Sequence, residues 1–271
     1  MGRQELAYPK QPYSTVKRYD LLASYELSTI HTIISTSPMV NVSFIDPSSP
    51  FPTILPMIGA LGSFSRPSAD ITDVQDLYLH GYISSRLVNQ SRSPSQPEGL
   101  PVCVSASHVD GLVLSLTPYS HNYNYRSATL FGHAALVTDP DEKLFAMRLI
   151  TDSVVPGRWA GSRTPPDAGE VASTGVLKVK IAAGSAKVRV GGPTDGKADL
   201  ADEALRERVW TGVVPVYTVY GEPVASEYNG VERLPGYIAE YVADVNEETR
   251  RQAVEAATKE VPKKVVDDDD D

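Results

Sequence analysis

The sequence predicts a mainly β protein, an antiparallel β-barrel with flanking helices. Short apolar runs of period two recur along the chain, separated by turns rich in Gly, Pro, Asp and Ser. Only one helix is strongly marked, and nothing repeats the strand–helix alternation that a doubly wound parallel sheet requires.

Residues 1–16, with Pro9 and Pro12, read as an extended arm. From Tyr19 to about Ile30, Leu21, Leu22, Tyr25 and Ile30 recur at near-helical spacing, with Asp20 suited to a helix start. Met39 to Ile45 alternates cleanly, Asp46-Pro47-Ser48-Ser49-Pro50 makes a turn, and Thr53 to Ile58 returns, which predicts a hairpin. Pro56 cannot donate to a ladder, so the returning strand is an edge or is bulged, with backbone groups free for a ligand. Residues 59–73 read as a loop.

Asp76 to Val88 reads as a strand that runs through a glycine into the first turn of a helix. Leu77 and Leu79 alternate with Tyr78 and His80, and Gly81 is expected to turn the backbone. Ser84 and Ser85 stand at a helix N-cap position, with Arg86 in the first turn. Two hydroxyls and a guanidinium at such an end suit a phosphate, and they equally suit an ordinary helix start. Val102 to Ser107 and Leu112 to Leu116 read as strands joined by a tight turn at Asp110-Gly111. The stretch from Ser120 to Val137 then enters a strand through a dense polar cluster, a second candidate ligand surface.

Asp139 as N-cap, Pro140 at the first helical position and Glu142 closing a capping box predict a helix ended by Pro156-Gly157. Leu144, Met147 and Val154 would supply its apolar stripe. Gly175 to Ile181 and Ser185 to Val190 read as two more strands. Residues 191–245 read as irregular, and Asn246 as the cap of a charged helix to about Lys259. Residues 263–271, ending in five aspartates, are expected to be disordered.

A net charge of -9 and no basic run beyond two residues exclude a nucleic-acid surface. Cys103 is the single cysteine, so disulfides and thiolate metal clusters are excluded and a reducing, cytoplasmic setting is expected. No run is long enough to span a membrane, and Met1 to Leu6 lacks an apolar signal core. His108, His121 and His133 form no zinc spacing, and no Walker loop, nucleophile elbow or dinucleotide fingerprint occurs.

Several of these stretches together resemble the flavin-nucleotide-binding branch of the pyridoxamine 5'-phosphate oxidase-like family. They are Tyr78-Leu79-His80-Gly81 through Ser84 and Arg86, Pro101-Val102-Cys103-Val104 leading to Asp110-Gly111, Asn124-Tyr125-Arg126-Ser127 leading to Phe131-Gly132, Val155-Pro156-Gly157-Arg158-Trp159, and Ser185-Ala186-Lys187-Val188-Arg189. The resemblance covers roughly residues 17–215 and implies an FMN-binding split β-barrel, usually a homodimer with flavins at the interface. Residues 216–262 would be a C-terminal extension with a helix. The loop 59–73 is longer than in similar chains.

By that resemblance, Ser84 and Arg86 would hold the FMN phosphate, and Asn124, Tyr125, Arg126 and Ser127 would contact phosphate or ribityl. Leu55, Pro56 and Met57 would lay backbone against the isoalloxazine edge. His80 would face the flavin pocket as a catalytic proton donor, a substrate anchor or a haem ligand. The function implied is a flavin-dependent oxidoreductase acting on a small molecule, with NAD(P)H as one second substrate. A non-catalytic flavin- or haem-binding protein and a folded module without cofactor are the other classes.

Overall fold

The computed structural model describes residues 5–261. The acidic tail 263–271 and the first four residues, on which part of the signal-peptide reading rests, lie outside the described residues. The elements in chain order are β1 (Ala23–Ser24), α1 (Leu27–Ser35), β2 (Val40–Phe44), β3 (Thr53–Met57), β4 (Gly59–Gly62), β5 (Asp76–Tyr82), α2 (Arg86–Ser91), β6 (Leu100–Leu114), β7 (Asn122–Leu136), α3 (Pro140–Val154), α4 (Ala168–Ser173), β8 (Thr174–Arg189), α5 (Lys197–Ala201), α6 (Glu203–Arg208), β9 (Gly212–Pro215) and α7 (Gly236–Thr258). They fall into two units: a first of residues up to 16, 24–107 and 127–186, and a second of residues 17–23, 108–126 and 187 onward.

In the first unit the paired strands run in the order β3-β2-β6-β7-β8-β5-β4. The two ends of that path, β3 and β4, are consecutive in the chain and separated only by Ile58. A sheet whose outer strands are one residue apart must curl until its ends meet, yet no ladder joins them, which makes an open, split barrel. β2 and β3 form the expected hairpin, with Val40 opposite Met57 and Phe44 opposite Thr53. Val40, Val42, Phe44, Val102, Val104, Leu130 and Leu177 point inward as the core. Pro56 lies on the terminal strand of the path, where a missing N–H costs no ladder bond.

Part of the expected loop 59–73 is instead β4, with Gly59 opposite Leu79 and Gly62 opposite Asp76. β5 is not half-buried: Leu77, Tyr78 and Leu79 are all fully buried, because α3 covers the face that alternation assigned to solvent. Tyr78 packs there with Ala146 and Ile150, and these residues form the buried stripe of α3 in place of Leu144 and Val154, which are exposed. The Asp139 carboxylate caps α3 by accepting from Glu142 N at 2.8 Å. Glu142 does not close the box. Its carboxylate accepts from Tyr78 Oη and Lys178 Nζ, both at 2.8 Å, and desolvation together with that carboxylate pushes the Tyr78 phenol far above its ordinary value.

Of the helix expected over 19–30, a 3₁₀ turn at Asp20–Leu22 forms first, and the α-helix begins only at Leu27. Tyr8 N donates to Tyr25 O at 2.8 Å and Leu27 N to Leu6 O at 2.9 Å, so the arm claims the backbone before α1 as an extended partner. The true stripe is Leu27, Ile30, His31 and Ile34, all buried.

Two pairs of expected strands are single long ones. β8 runs through Gly184, where a Cβ would come within 2.9 Å of the Tyr8 ring and 3.1 Å of Leu130; the glycine lets these side chains close in and makes no turn. In the second unit β6 runs through Asp110-Gly111 and pairs with β9, Gly111 opposite Pro215. A Cβ on Gly111 would meet Val213 at 2.8 Å, so glycine serves close strand approach there too. Asn246 is mid-helix in α7, where its amide grips the backbone of Tyr220, donating to the carbonyl at 2.9 Å and accepting from the N–H at 2.7 Å. Among the described residues no helix is long and apolar enough to cross a membrane.

Candidate functional site

In the first unit the end of β5, the start of α2 and the edge strand β3 converge. β5 stays extended through Gly81, contrary to the expected turn, and the reversal follows at Ile83–Ser85, where Ser85 N donates to Tyr82 O at 2.8 Å. Ser85, not Ser84, is the N-cap, its hydroxyl accepting from Val88 N. A Cβ on Gly81 would stand 3.9 Å from Met57 Cε and 3.7 Å from Ser85 Oγ, so the glycine leaves open space between β3 and the helix start. His80 precedes it, exposed, opposite Val176 of β8, and partial desolvation holds its imidazole below the ordinary histidine value.

Arg86 is mostly exposed, and its Nη1 lies 2.9 Å from Asp46 Oδ2. Asp46 is buried in the turn after β2, where its Oδ1 accepts from Ser48 N at 2.9 Å and Ser48 Oγ at 2.8 Å. These two bonds, with smaller help from Gln90 and Arg86, hold its carboxyl below the usual range. Asp46 is thus a fixed anion that positions Arg86 while leaving most of the guanidinium to solvent. It was missed in the sequence because it stands forty residues from Arg86 inside an unremarkable Asp-Pro-Ser-Ser turn. α2 has only six residues, so its dipole is small and Arg86 carries the positive charge here.

The second candidate cluster is divided. Ser127 belongs to the first unit, and Asn124, Tyr125 and Arg126 to the second. Asn124 is fully buried. Its amide donates to Gly191 O and Ala256 O, each at 3.1 Å, and its oxygen accepts from Arg189. Arg126 makes a two-pronged pair with buried Asp110, Nε to Oδ2 at 2.8 Å and Nη2 to Oδ1 at 2.9 Å. Tyr125 is half-buried, and desolvation raises its phenol. Arg189 escaped sequence reasoning: it is buried, and its guanidinium is satisfied by Asn124 and the Gly191 and Gly192 carbonyls.

A further feature of the first unit is an apolar groove of about 410 Å³ on the face of β2, β6, β7 and β8 that points away from the core. Phe131 and His133 of β7, Cys103 of β6 and Ala182 of β8 line it, and burial raises the Cys103 thiol.

A family model described as pyridoxamine 5'-phosphate oxidase matches residues 26–188. The chain belongs to this family. Among solved structures, the flavocytochrome Anf3 from Azotobacter vinelandii is 28% identical with a TM-score of 0.69, over 85% of this chain and 97% of that one. The FAD and heme binding protein from Mycobacterium smegmatis is 26% identical with a TM-score of 0.66, over 81% of this chain and 97% of that one. No curated protein matches the sequence. Both structural likenesses extend over more of the chain than the family match, and so beyond the residues it spans.

Proposed function

We propose that this chain binds a flavin nucleotide and acts as a flavin-dependent oxidoreductase on a small molecule. The observation that carries this is the likeness to a flavocytochrome over nearly its whole length, joined to membership of the family. Arg86, backed by Asp46, and Ser84 would hold the flavin phosphate. The unpaired edge of β3 at Leu55, Pro56 and Met57 would offer backbone partners to the polar rim of the ring system. His80 would stand over the open space at Gly81 as proton donor or substrate anchor. Asn124 and Arg126, with their polar atoms engaged inside the chain, would fix the strand entry that presents Tyr125 and Ser127.

The flavin, when bound, supplies the redox chemistry; the chain positions it and excludes water. A second copy of the chain would cover the flavin in a C2 homodimer, NAD(P)H is one candidate reductant, and the setting is the cytoplasm. A second reading, a flavin- and haem-binding protein without turnover of its own, is favoured by one observation: both similar structures are named as carrying haem as well as flavin or as a flavocytochrome.

The absorption spectrum of the purified chain, before and after titration with FMN, FAD and hemin, tests both. Flavin bands that bleach on adding NAD(P)H favour the oxidoreductase. A Soret band beside unbleached flavin favours the second reading. Absence of every band, with no quenching of added flavin, overturns both.

A further inference from the structure

The groove on the outward face of the barrel sheet is built unlike an ordinary surface. Strand alternation sends Val102, Val104, Leu130 and Ala134 to the core, and so turns Cys103, Phe131 and His133 outward. A solvent face would carry charges at these positions. Instead the floor is largely apolar, Ser43 stands beside Cys103 across the β2–β6 ladder, and the Tyr13 ring packs edge-on against Phe131 at 5.1 Å. The cavity, about 410 Å³, lies in the range of small-molecule and cofactor pockets.

One imidazole enters it. The chain has five histidines. His31 has both ring nitrogens engaged, with Tyr8 Oη at 2.7 Å and Ile71 O at 2.9 Å. His121 is exposed and bonds Thr117 O through Nδ1. His108 has a partner of its own, and His80 is exposed at a strand end. His133 is the one histidine that lines this groove. A largely apolar groove with a single imidazole fits a macrocycle that needs one axial nitrogen and apolar walls. The Cys103 thiol beside it is kept protonated by its burial and is the poorer ligand. Lys180, two residues before Ala182 on β8, supplies a cation on the same strand for an anionic side group.

Resting on the reading that this chain binds haem, we propose that the haem sits in this groove with His133 as its axial ligand, and that His80 is left to the flavin.

The test is a titration of the full-length chain with hemin, read from the Soret band, with flavin quenching measured in parallel. The proposal expects His133→Ala to lose the shifted Soret band of the wild type, to regain it with added imidazole, and to quench flavin as before. Ala182→Trp, which fills the groove and keeps the ligand, should also block hemin. A wild-type spectrum in His133→Ala overturns the proposal. So does loss of the band in His80→Ala instead, which leaves the haem reading standing and moves the site. Unchanged hemin binding by Ala182→Trp with a changed oligomer mass would assign the groove to a second copy of the chain. No hemin binding by the wild type overturns the haem reading itself, together with the site.

Discussion

Two arginines with the same sequence credentials end in opposite situations. Arg86 and Arg126 each stand near serine and a strand end, and the family resemblance implied a flavin contact for each, phosphate for Arg86 and phosphate or ribityl for Arg126. In the first unit Arg86 has about three-fifths of its side chain exposed and touches Asp46 through a single nitrogen. In the second unit Arg126 is largely buried and spends the Nε–Nη2 edge of its fork on Asp110, in two bonds. The first can accept a ligand without breaking a fold contact. The second could turn its paired edge to a ligand only by abandoning a buried carboxylate, so its loss is expected to fall on folding.

The sharpest way to break this contrast is Arg126→Ala, which strands the buried Asp110 carboxylate. The expected loss is about 3 kcal/mol, read as a lower midpoint in urea denaturation. Replacing both partners, Arg126→Met with Asp110→Leu, should recover most of it. A single mutant as stable as wild type would mean the pair is not what holds the strand entry.

Next in size is Asn124→Ala. It leaves Gly191 O, Ala256 O and the Arg189 guanidinium short of partners in a buried setting, at a cost of about 2 kcal/mol. Hydrogen exchange should rise first at the C-terminal end of α7, where Ala256 lies. Uniform exchange along α7 would argue against a local latch.

Arg86→Ala is expected to leave the melting temperature nearly unchanged, since exposed ion pairs contribute about 0–1 kcal/mol. It should weaken FMN binding roughly tenfold, close to the ~1.4 kcal/mol of one charge-assisted contact. Riboflavin, which lacks the phosphate, is the control in the same fluorescence titration. Equal losses for both flavins would make Arg86 a structural residue like Arg126.

The smallest effect concerns histidines. Burial lowers the His31 imidazole in the folded chain below its value of 6.5, so the unfolded chain binds the extra proton first. Its contribution to stability is therefore complete above about pH 6.5 and is lost as pH falls below it. Denaturation midpoints measured from pH 7.5 downward should decline less steeply in His31→Gln than in wild type. An identical slope would show that the Tyr8–His31–Ile71 chain of bonds does not sense protons.

What the sequence by itself determined is what local rules control. The β2–β3 hairpin follows from alternation around an Asp-Pro turn, the start of α3 from Asp139, the start of α2 from the Ser84-Ser85 pair to within one residue, and the choice of edge or bulge for β3 from the N–H that Pro56 lacks. Each depends on residues a few positions apart, and the family motifs add the barrel. Tertiary structure alone decided the rest. Gly111 and Gly184 have the composition of turns but sit in strands, because the atoms that need their space come from Val213 and from Tyr8 and Leu130, far along the chain. Tyr78 reads as a solvent-facing residue until α3 covers it. Arg86 and Arg126 become distinguishable only when Asp46 and Asp110 arrive, forty and sixteen residues away. Burial and pairing depend on which surfaces meet, and period and spacing carry no record of that meeting.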